Sequence, residues 1–413
     1  MSYESAPSAQ LRLRRLWRSG GPDSLLGAPA TIPPTLPPMD RTGLEQVRHR
    51  GAAAVWGSLL ALAITGAASA QLSAPMTRVD STGTLVGIIV TKEGEIPLSY
   101  GIVSVASLGR ERFTDDRGEF RLFDVPVGPL QLQVRHLGYT PVSVTTTVHA
   151  SRTDTIRVRL AHIAVQLTAM RVRAYPPCSD PGPPTAEGDS SFATLFDQLR
   201  LNAEQYRLLA SAYPFELTVE RMMFQTLVNQ EVRVEAVDTL TLRSADHWTY
   251  RPGGVVSQMV VGSRRPRMAI LNIPTLVHFA DDLFLANHCF FDGGEETVDG
   301  FRLLRIDFVA ASRIKKPDVD GSVYLDPTSF QIRRSFLHVT KMPRGITGVL
   351  ETDATTVFSE LFPSVPVISG ISSVNRVDVD RTRAGAVATA NEDQRLIRVR
   401  FLARRPGDDP KKP

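Results

Sequence analysis

The chain has 413 residues, 42% hydrophobic and 22% charged, with a formal net charge of +4. That length holds two or three folded units, and the ordinary composition excludes a collagenous or wholly disordered chain. The positive balance lies at the front: residues 1–70 carry seven arginines against four acids, leaving 40 basic and 39 acidic residues beyond them. A nucleic-acid partner therefore has no electrostatic support.

Residues 1–38 combine Arg12, Arg14, Arg15 and Arg18 with a Pro-rich run ending at Pro38. Such a stretch cannot build a core. It is expected to be a disordered leader, or a start assigned too far upstream with Met39 as the initiator. Residues 39–70 read as a secretory signal: Arg48 and Arg50 flank an apolar run from Ala52 to Ile64, and Ala68-Ser69-Ala70 precedes Gln71. Cleavage is expected between Ala70 and Gln71. The apolar run is too short for a comfortable membrane span. No integral span is expected after cleavage, and the mature chain is expected in the periplasm or outside the cell, with outer-membrane association open. Residues 71–83 read as a flexible segment.

From Thr84 the pattern changes to short strands. Val86, Ile88 and Val90 alternate with Gly87, Ile89 and Thr91; Ile102 to Val105 and Arg112 to Thr114 follow. Asp115-Asp116-Arg117-Gly118 reads as a hairpin loop with Gly118 left-handed. Phe120 and Leu122, then Leu130, Leu132 and Val134, each mark one face of a strand, and Val142 to Val148 and Ile156 to Leu160 complete about seven. Turn signals every eight to twelve residues favour an antiparallel sandwich.

Gly87, Thr114 to Leu122, Val125 to Gly128, and Val134 to Tyr139 fall in the order G-x-V, T-D-D-x-G-x-F-x-L, V-P-x-G and V-x-x-x-G-Y. This order resembles the carboxypeptidase regulatory-like family, over roughly eighty residues. The resemblance implies a prealbumin-like β-sandwich, close to the carbohydrate-binding-like folds, over residues 84–173. It implies no catalytic residue, because the domain is an accessory in metallocarboxypeptidases. Phe120 and Tyr139 are expected in its core.

Ala174 to Pro184 is a Pro-rich linker by composition, and 174–189 is assigned to it. Val165 to Val172 is expected to form a strand before it. Ser190 or Ser191 then caps a helix whose Phe192, Leu195, Phe196, Leu199, Ala203 and Tyr206 share one face; Pro214 ends it. Strands are expected at Phe215–Arg221, Val232–Leu242, His247–Tyr250, Arg267–Ile273, Phe301–Val309, Gly321–Leu325, Gln331–Val339, Thr356–Phe362 and Leu396–Phe401, with Asp326 to Ser329 as a hairpin loop. Residues 404–413 read as a disordered tail. The expected fold class is thus mainly β: a seven-stranded sandwich followed by a second antiparallel β-rich domain, residues 190–403, with one amphipathic helix. FRLLRIDFVAA followed by GSVYLDPTSFQIRRSFLHV resembles the strand-turn-strand pattern of periplasmic lipoprotein carriers, which implies a half-barrel wrapped over a helix.

Cys178 and Cys289, 111 residues apart, are expected to form a disulfide in an oxidising compartment; free buried thiols and an intermolecular bond are the alternatives. The chain carries no H-E-x-x-H, G-x-S-x-G or Gly-rich phosphate loop. His278, Asp281, Asp282 and His288 beside Cys289 are ligand types for zinc, but Asp281-Asp282 also suits a helix cap. Asp292 to Glu296 and Asp115-Asp116 read as turns before cation sites, Arg264, Arg265 and Arg267 as a solvated loop, and Trp248 and Tyr250 as core. No enzyme, cofactor or metal is expected. The expected function is a non-catalytic binding protein of the envelope, with an apolar ligand between helix and curved sheet. The alternative is a structural or interaction protein whose sandwich meets a protein or glycan. An envelope protein, a glycan or a lipid is therefore the expected partner.

Overall fold

Gly87 shows how tightly the first sandwich is packed. A Cβ there would lie 2.3 Å from two ring carbons of Phe120 and 2.9 Å from a methyl of Ile156, so only glycine lets the aromatic ring lie over the strand. The structure, a computed structural model, describes residues 81–163, 175–260, 267–342, 349–378 and 385–403. The expectations for the leader, the signal and its Ala70/Gln71 cleavage site, the flexible segment, the strand Val165–Val172 and the tail from Arg404 lie outside those residues, as do Arg264 and Arg265.

Seven strands make the sandwich: β1 Thr82–Thr91, β2 Ile102–Val105, β3 Arg110–Phe113, β4 Glu119–Pro126, β5 Gly128–Arg135, β6 Val142–Val148 and β7 Thr153–Leu160. One sheet runs β4-β1-β7 and the other β3-β2-β5-β6. Leu85, Ile89, Phe120, Leu122, Leu130, Leu132, Val134 and Leu160 fill the space between. Two details differ from the sequence reading. β7 pairs with β1 in parallel. The Asp115–Gly118 turn is tight, with Gly118 at φ 74°, yet it is not a hairpin, because β3 and β4 belong to different sheets. Turn chemistry fixes the local bend; it does not say which strand each arm will pair with.

Beyond the sandwich, α1 (Ser190–Ala212) is the one helix of more than five residues among the described residues. Its cap is Asp189, not Ser190 or Ser191: the carboxylate accepts from Ser191 N and Phe192 N. Strands β8 (Phe215–Leu227) and β9 (Val232–Arg243) follow, then the hairpin β10 (Val256–Val260) and β11 (Arg267–Leu271), and the short helix α2 (Asp282–Leu285). The remaining strands are β12 (His288–Val298), β13 (Phe301–Ala310), β14 (Val319–Leu325), β15 (Ile332–Val339), β16 (Val349–Phe362), β17 (Val365–Val377) and β18 (Val387–Phe401). They build one nine-stranded antiparallel sheet, β12-β13-β14-β15-β16-β17-β18-β8-β9.

His247–Tyr250 is not a strand, since Trp248 and Tyr250 are held as single side chains in the core rather than by a ladder. Asp292 to Glu296, expected as a turn, lies inside β12 and carries a bulge between Asp292 and Gly294. Its glycines made a bulge look like a loop. Asp326 does turn the chain between β14 and β15, accepting from Thr328 N and Ser329 N at 2.9 Å each.

The helix is buried on two opposite sides. Phe192, Leu195, Phe196, Leu199 and Ala203 pack on the large sheet against Leu304, Ile306, Phe308, Val323 and Ile332. Leu201 and Leu208 pack on Ile102 and Leu137 of the sandwich. Polar residues fix the same junction: Gln198 accepts from Gly138 N at 2.8 Å, Arg135 pairs with Glu204, and Arg207 pairs with Glu111 at 3.2 Å.

The sheet's two edges differ. Along β12 runs the segment from Tyr175 to Gly182. Gly182 N donates to His288 O at 3.0 Å, Ser312 N donates to Cys178 O at 2.8 Å, and Tyr175 stacks on Phe291 with its hydroxyl on Asp307. The sulfurs of Cys178 and Cys289 stand at disulfide distance, 2.10 Å. At the other edge, β9, no further strand pairs among the described residues, and Val234, Val237 and Leu242 are exposed.

Candidate ligand cavity and the buried polar clusters

Where α1 ends, the sheet curves away from it and leaves a cavity of about 130 Å³. Leu217 and Val219 of β8, Leu396 of β18 and Ile368 and Ile371 of β17 form its floor, Tyr206 of the helix one wall, and Leu276 and Val277 another. Leu242 and Arg243 close it at the β9 edge, with Ser244, Asp246 and His247 at the rim. These positions converge because β8, β9 and β18 pair in register: Leu217 opposite Leu242 and Val399, Val219 opposite Leu240 and Leu396. Burial pushes the Tyr206 phenol up to about 12, so the wall is uncharged at neutral pH. The lining is apolar with a polar lip. A cavity near 150 Å³ accepts a benzene-sized guest, whereas drug-sized ligands need about 300 Å³ or more. The volume fits one ring or a short alkyl chain.

The sequence candidates for a metal are placed elsewhere and saturated. His278 accepts from Thr275 N at Nδ1, 2.9 Å, and donates from Nε2 to Trp248 O, 3.1 Å. Burial holds its imidazole below the ordinary value. Both ring nitrogens of His288 face oxygen: Phe284 O at 2.8 Å, and Val319 O at 3.2 Å with Asp318 at 3.5 Å. Neither nitrogen is left to bind a metal. Asp281 caps α2 through Leu283 N and Phe284 N. Among the described residues no three His, Cys, Asp or Glu side chains stand together as metal ligands. Asp115 accepts from Arg117 N and Glu119 N, as a turn residue does. Tyr250 and Trp248 are core residues whose polar ends donate to Asp318, at 2.9 Å, and to Ile273 O.

Two buried clusters went unseen in the sequence. Asp318 is fully buried: burial pushes its carboxyl up, but hydrogen bonds from His288, Gly253 N and Val319 N outweigh that and hold it low. Asp307, also buried, gathers Arg305 at 2.7 Å, the Ser322 hydroxyl and the Tyr175 hydroxyl. Each is a satisfied structural network rather than a site open to substrate. The signal available was only an acid inside an apolar alternation, as in Leu304-Arg305-Ile306-Asp307-Phe308.

No helix among the described residues is long and apolar enough to cross a membrane. No curated protein matches the chain. Among solved structures, a chain of a type II cohesin–X-dockerin complex from Acetivibrio cellulolyticus is similar at 19% identity and TM-score 0.17, over 19% of this chain; this chain spans 58% of that one. A LolA superfamily protein from Nitrosomonas europaea is similar at 8% identity and TM-score 0.27, over 50% of this chain and 94% of that one. A DUF1329 family protein from Desulfovibrio piger is similar at 11% identity and TM-score 0.29, over 51% and 92%. Residues 84–161 match the carboxypeptidase regulatory-like domain.

Proposed function

We propose that this is a non-catalytic protein of the cell envelope that binds a small apolar ligand in the cavity beside Tyr206. The observation that carries the reading is the apolar lining of the cavity beside the end of the helix. Around it, residues 84–173 act as a sandwich that braces the helix, and residues 190–403 supply the binding domain. We take export through cleavage after Ala70 and an oxidised Cys178–Cys289 pair as parts of the same reading. The charged side chains of the buried clusters are paired with one another, and the titratable groups beside the cavity, Asp246 and His247, stand at its rim rather than in its apolar lining.

The test uses toluene and hexanoate as probes, followed by saturation-transfer NMR on the oxidised protein. Both are expected to bind, and Val219→Phe, which puts a ring into the cavity, is expected to abolish the signal while the melting temperature stays close to wild type. No binding by either probe, or equal binding by the variant, overturns the reading.

A second reading has its own observation. On β4, an edge of the sandwich, Phe123 is 43% exposed, with Val127 beside the same turn. An exposed aromatic on a strand edge suits a protein or glycan partner. The opposite sandwich face, with Ile102 and Leu137, is taken up by α1.

A further inference from the structure

We propose that β9 is a self-association edge, pairing antiparallel with β9 of a second copy about Thr239. An edge strand presents a row of unpaired N–H and C=O groups, and proteins normally cover or block it. The segment from Tyr175 to Gly182 runs along β12, whereas among the described residues none pairs with the outer side of the twelve-residue β9. Neither proline nor lysine interrupts β9 (VRVEAVDTLTLR).

The strand's own irregularity sets the register. Met223 pairs with Ala236 and Phe224 with Val234, so Glu235 is an extra residue bulged out of the ladder. Regular pairing is left to Ala236–Arg243, and a two-fold through Thr239 uses that stretch. Ala236 then lies opposite Leu242 of the second copy, Val237 opposite Thr241, Asp238 opposite Leu240, and Thr239 opposite itself. Beyond each end of the regular stretch the bulged Glu235 lies beside Arg243 of the second copy, whose guanidinium stands 3.7 Å from Glu216 in the single chain, so opposite charges flank the ladder twice. Apolar, β-branched and opposite-charge pairs are the favoured cross-strand neighbours, with Asp238 opposite Leu240 the one exception. Val237, 58% exposed in the single chain, gains a cross-strand neighbour. Leu242, which lines the cavity, faces Ala236 of the second copy, so the edge contact borders the ligand site.

Sedimentation across a concentration series tests this on the full mature chain. Wild type is expected to reach a dimer mass. Glu235→Arg sets like charges opposite each other at both ends and should weaken the dimer by roughly tenfold or more. Adding Arg243→Glu to it should restore association. Amide exchange supplies the independent readout: protection of Ala236–Arg243 should rise with concentration in wild type. A chain that stays monomeric throughout, a dimer indifferent to Glu235→Arg, a double variant no better than the single one, or protection that is independent of concentration overturns the proposal.

Discussion

Asn202 is the sharpest test of how the helix is held. It is fully buried in the middle of α1. Its amide donates to Gln198 O at 2.8 Å and Phe330 O at 2.9 Å, and its carbonyl accepts from Ile332 N at 2.9 Å. Truncation by Asn202→Ala strands Phe330 C=O and Ile332 N–H away from water. Each stranded group costs about 1–3 kcal/mol, so the variant should lose about 3 kcal/mol. For a domain of roughly 200 residues, such as 190–403 unfolding as one unit, that is a fall in melting temperature of roughly 6–12 °C, readable by differential scanning fluorimetry. Asn202→Asp separates hydrogen bonding from bulk. It keeps the acceptor for Ile332 N but turns a carboxylate oxygen toward two carbonyls. Burial and those carbonyls raise the carboxyl's folded pKa above its unfolded value of about 3.9. The folded state then binds the proton more readily, so the penalty is full above the folded pKa and shrinks as pH falls toward the unfolded one. N202D should therefore lie closer to wild type at mildly acid pH than at neutral pH. A loss under about 1 kcal/mol for N202A, or an N202D deficit flat with pH, would refute the reasoning.

Two further outcomes are expected. Cys178→Ser should lower stability under oxidising conditions and leave it unchanged in reductant; a cross-link closing 111 residues contributes about 4–5 kcal/mol in the chain-entropy model, and an equal effect in both conditions would remove the disulfide from the account. His338 donates to Asp353 at 2.7 Å, and that hydrogen bond holds its imidazole above the ordinary value against partial burial. Its contribution to stability is complete below the unfolded pKa of about 6.5 and is lost as pH rises through the folded pKa. Ring-proton NMR should show His338 titrating above His278, which burial holds low; Asp353→Asn should bring it down, and the reverse order would refute the assignment.

The sandwich was legible because its turn residues are conformationally specific: Gly118 and Gly128 take positive φ where the sequence called for a turn. What could not be read was which sheet each strand joins, since β3 and β4 look like a hairpin until long-range pairing separates them. In the second half, β8 and β15 announce themselves by alternation. β17 (VPVISGISSVNRV) does not, and of β18 (VATANEDQRLIRVRF) only Leu396–Phe401 was read, because both are partly buried along much of their length and carry polar residues toward both faces. The helix was read as one-sided from the apolar face of Phe192 to Tyr206, yet Gln198, Asn202 and Gln205 are buried as well. A polar residue on a helix can mark a buried partner as well as solvent, and the partners of Gln198 and Asn202 are turns far away in sequence, at Gly138 and at Phe330 to Ile332.

That two-sided burial decides how the cavity can open. Tyr206 forms one wall, and on the far side of the same helix Leu201 and Leu208 rest on the sandwich. Moving the helix outward would expose apolar surface on both sides and leave Gly138 N–H and Ile332 N–H without acceptors, a cost that a ring-sized guest does not offset. The opposite wall is made differently. From Arg243 to His247 the chain is irregular, Asp246 and His247 are exposed, and the turn is held by Asp246 N on Arg243 O at 2.9 Å and Arg243 N on the Asp246 carboxylate at 3.3 Å. Ser244 is anchored to Phe215 by two hydrogen bonds, but displacing Asp246 and His247 gives up only solvent-facing hydrogen bonds that water can replace. In the proposed binding reading, entry to the cavity therefore belongs to the Asp246–His247 rim, and the sandwich holds the helix still.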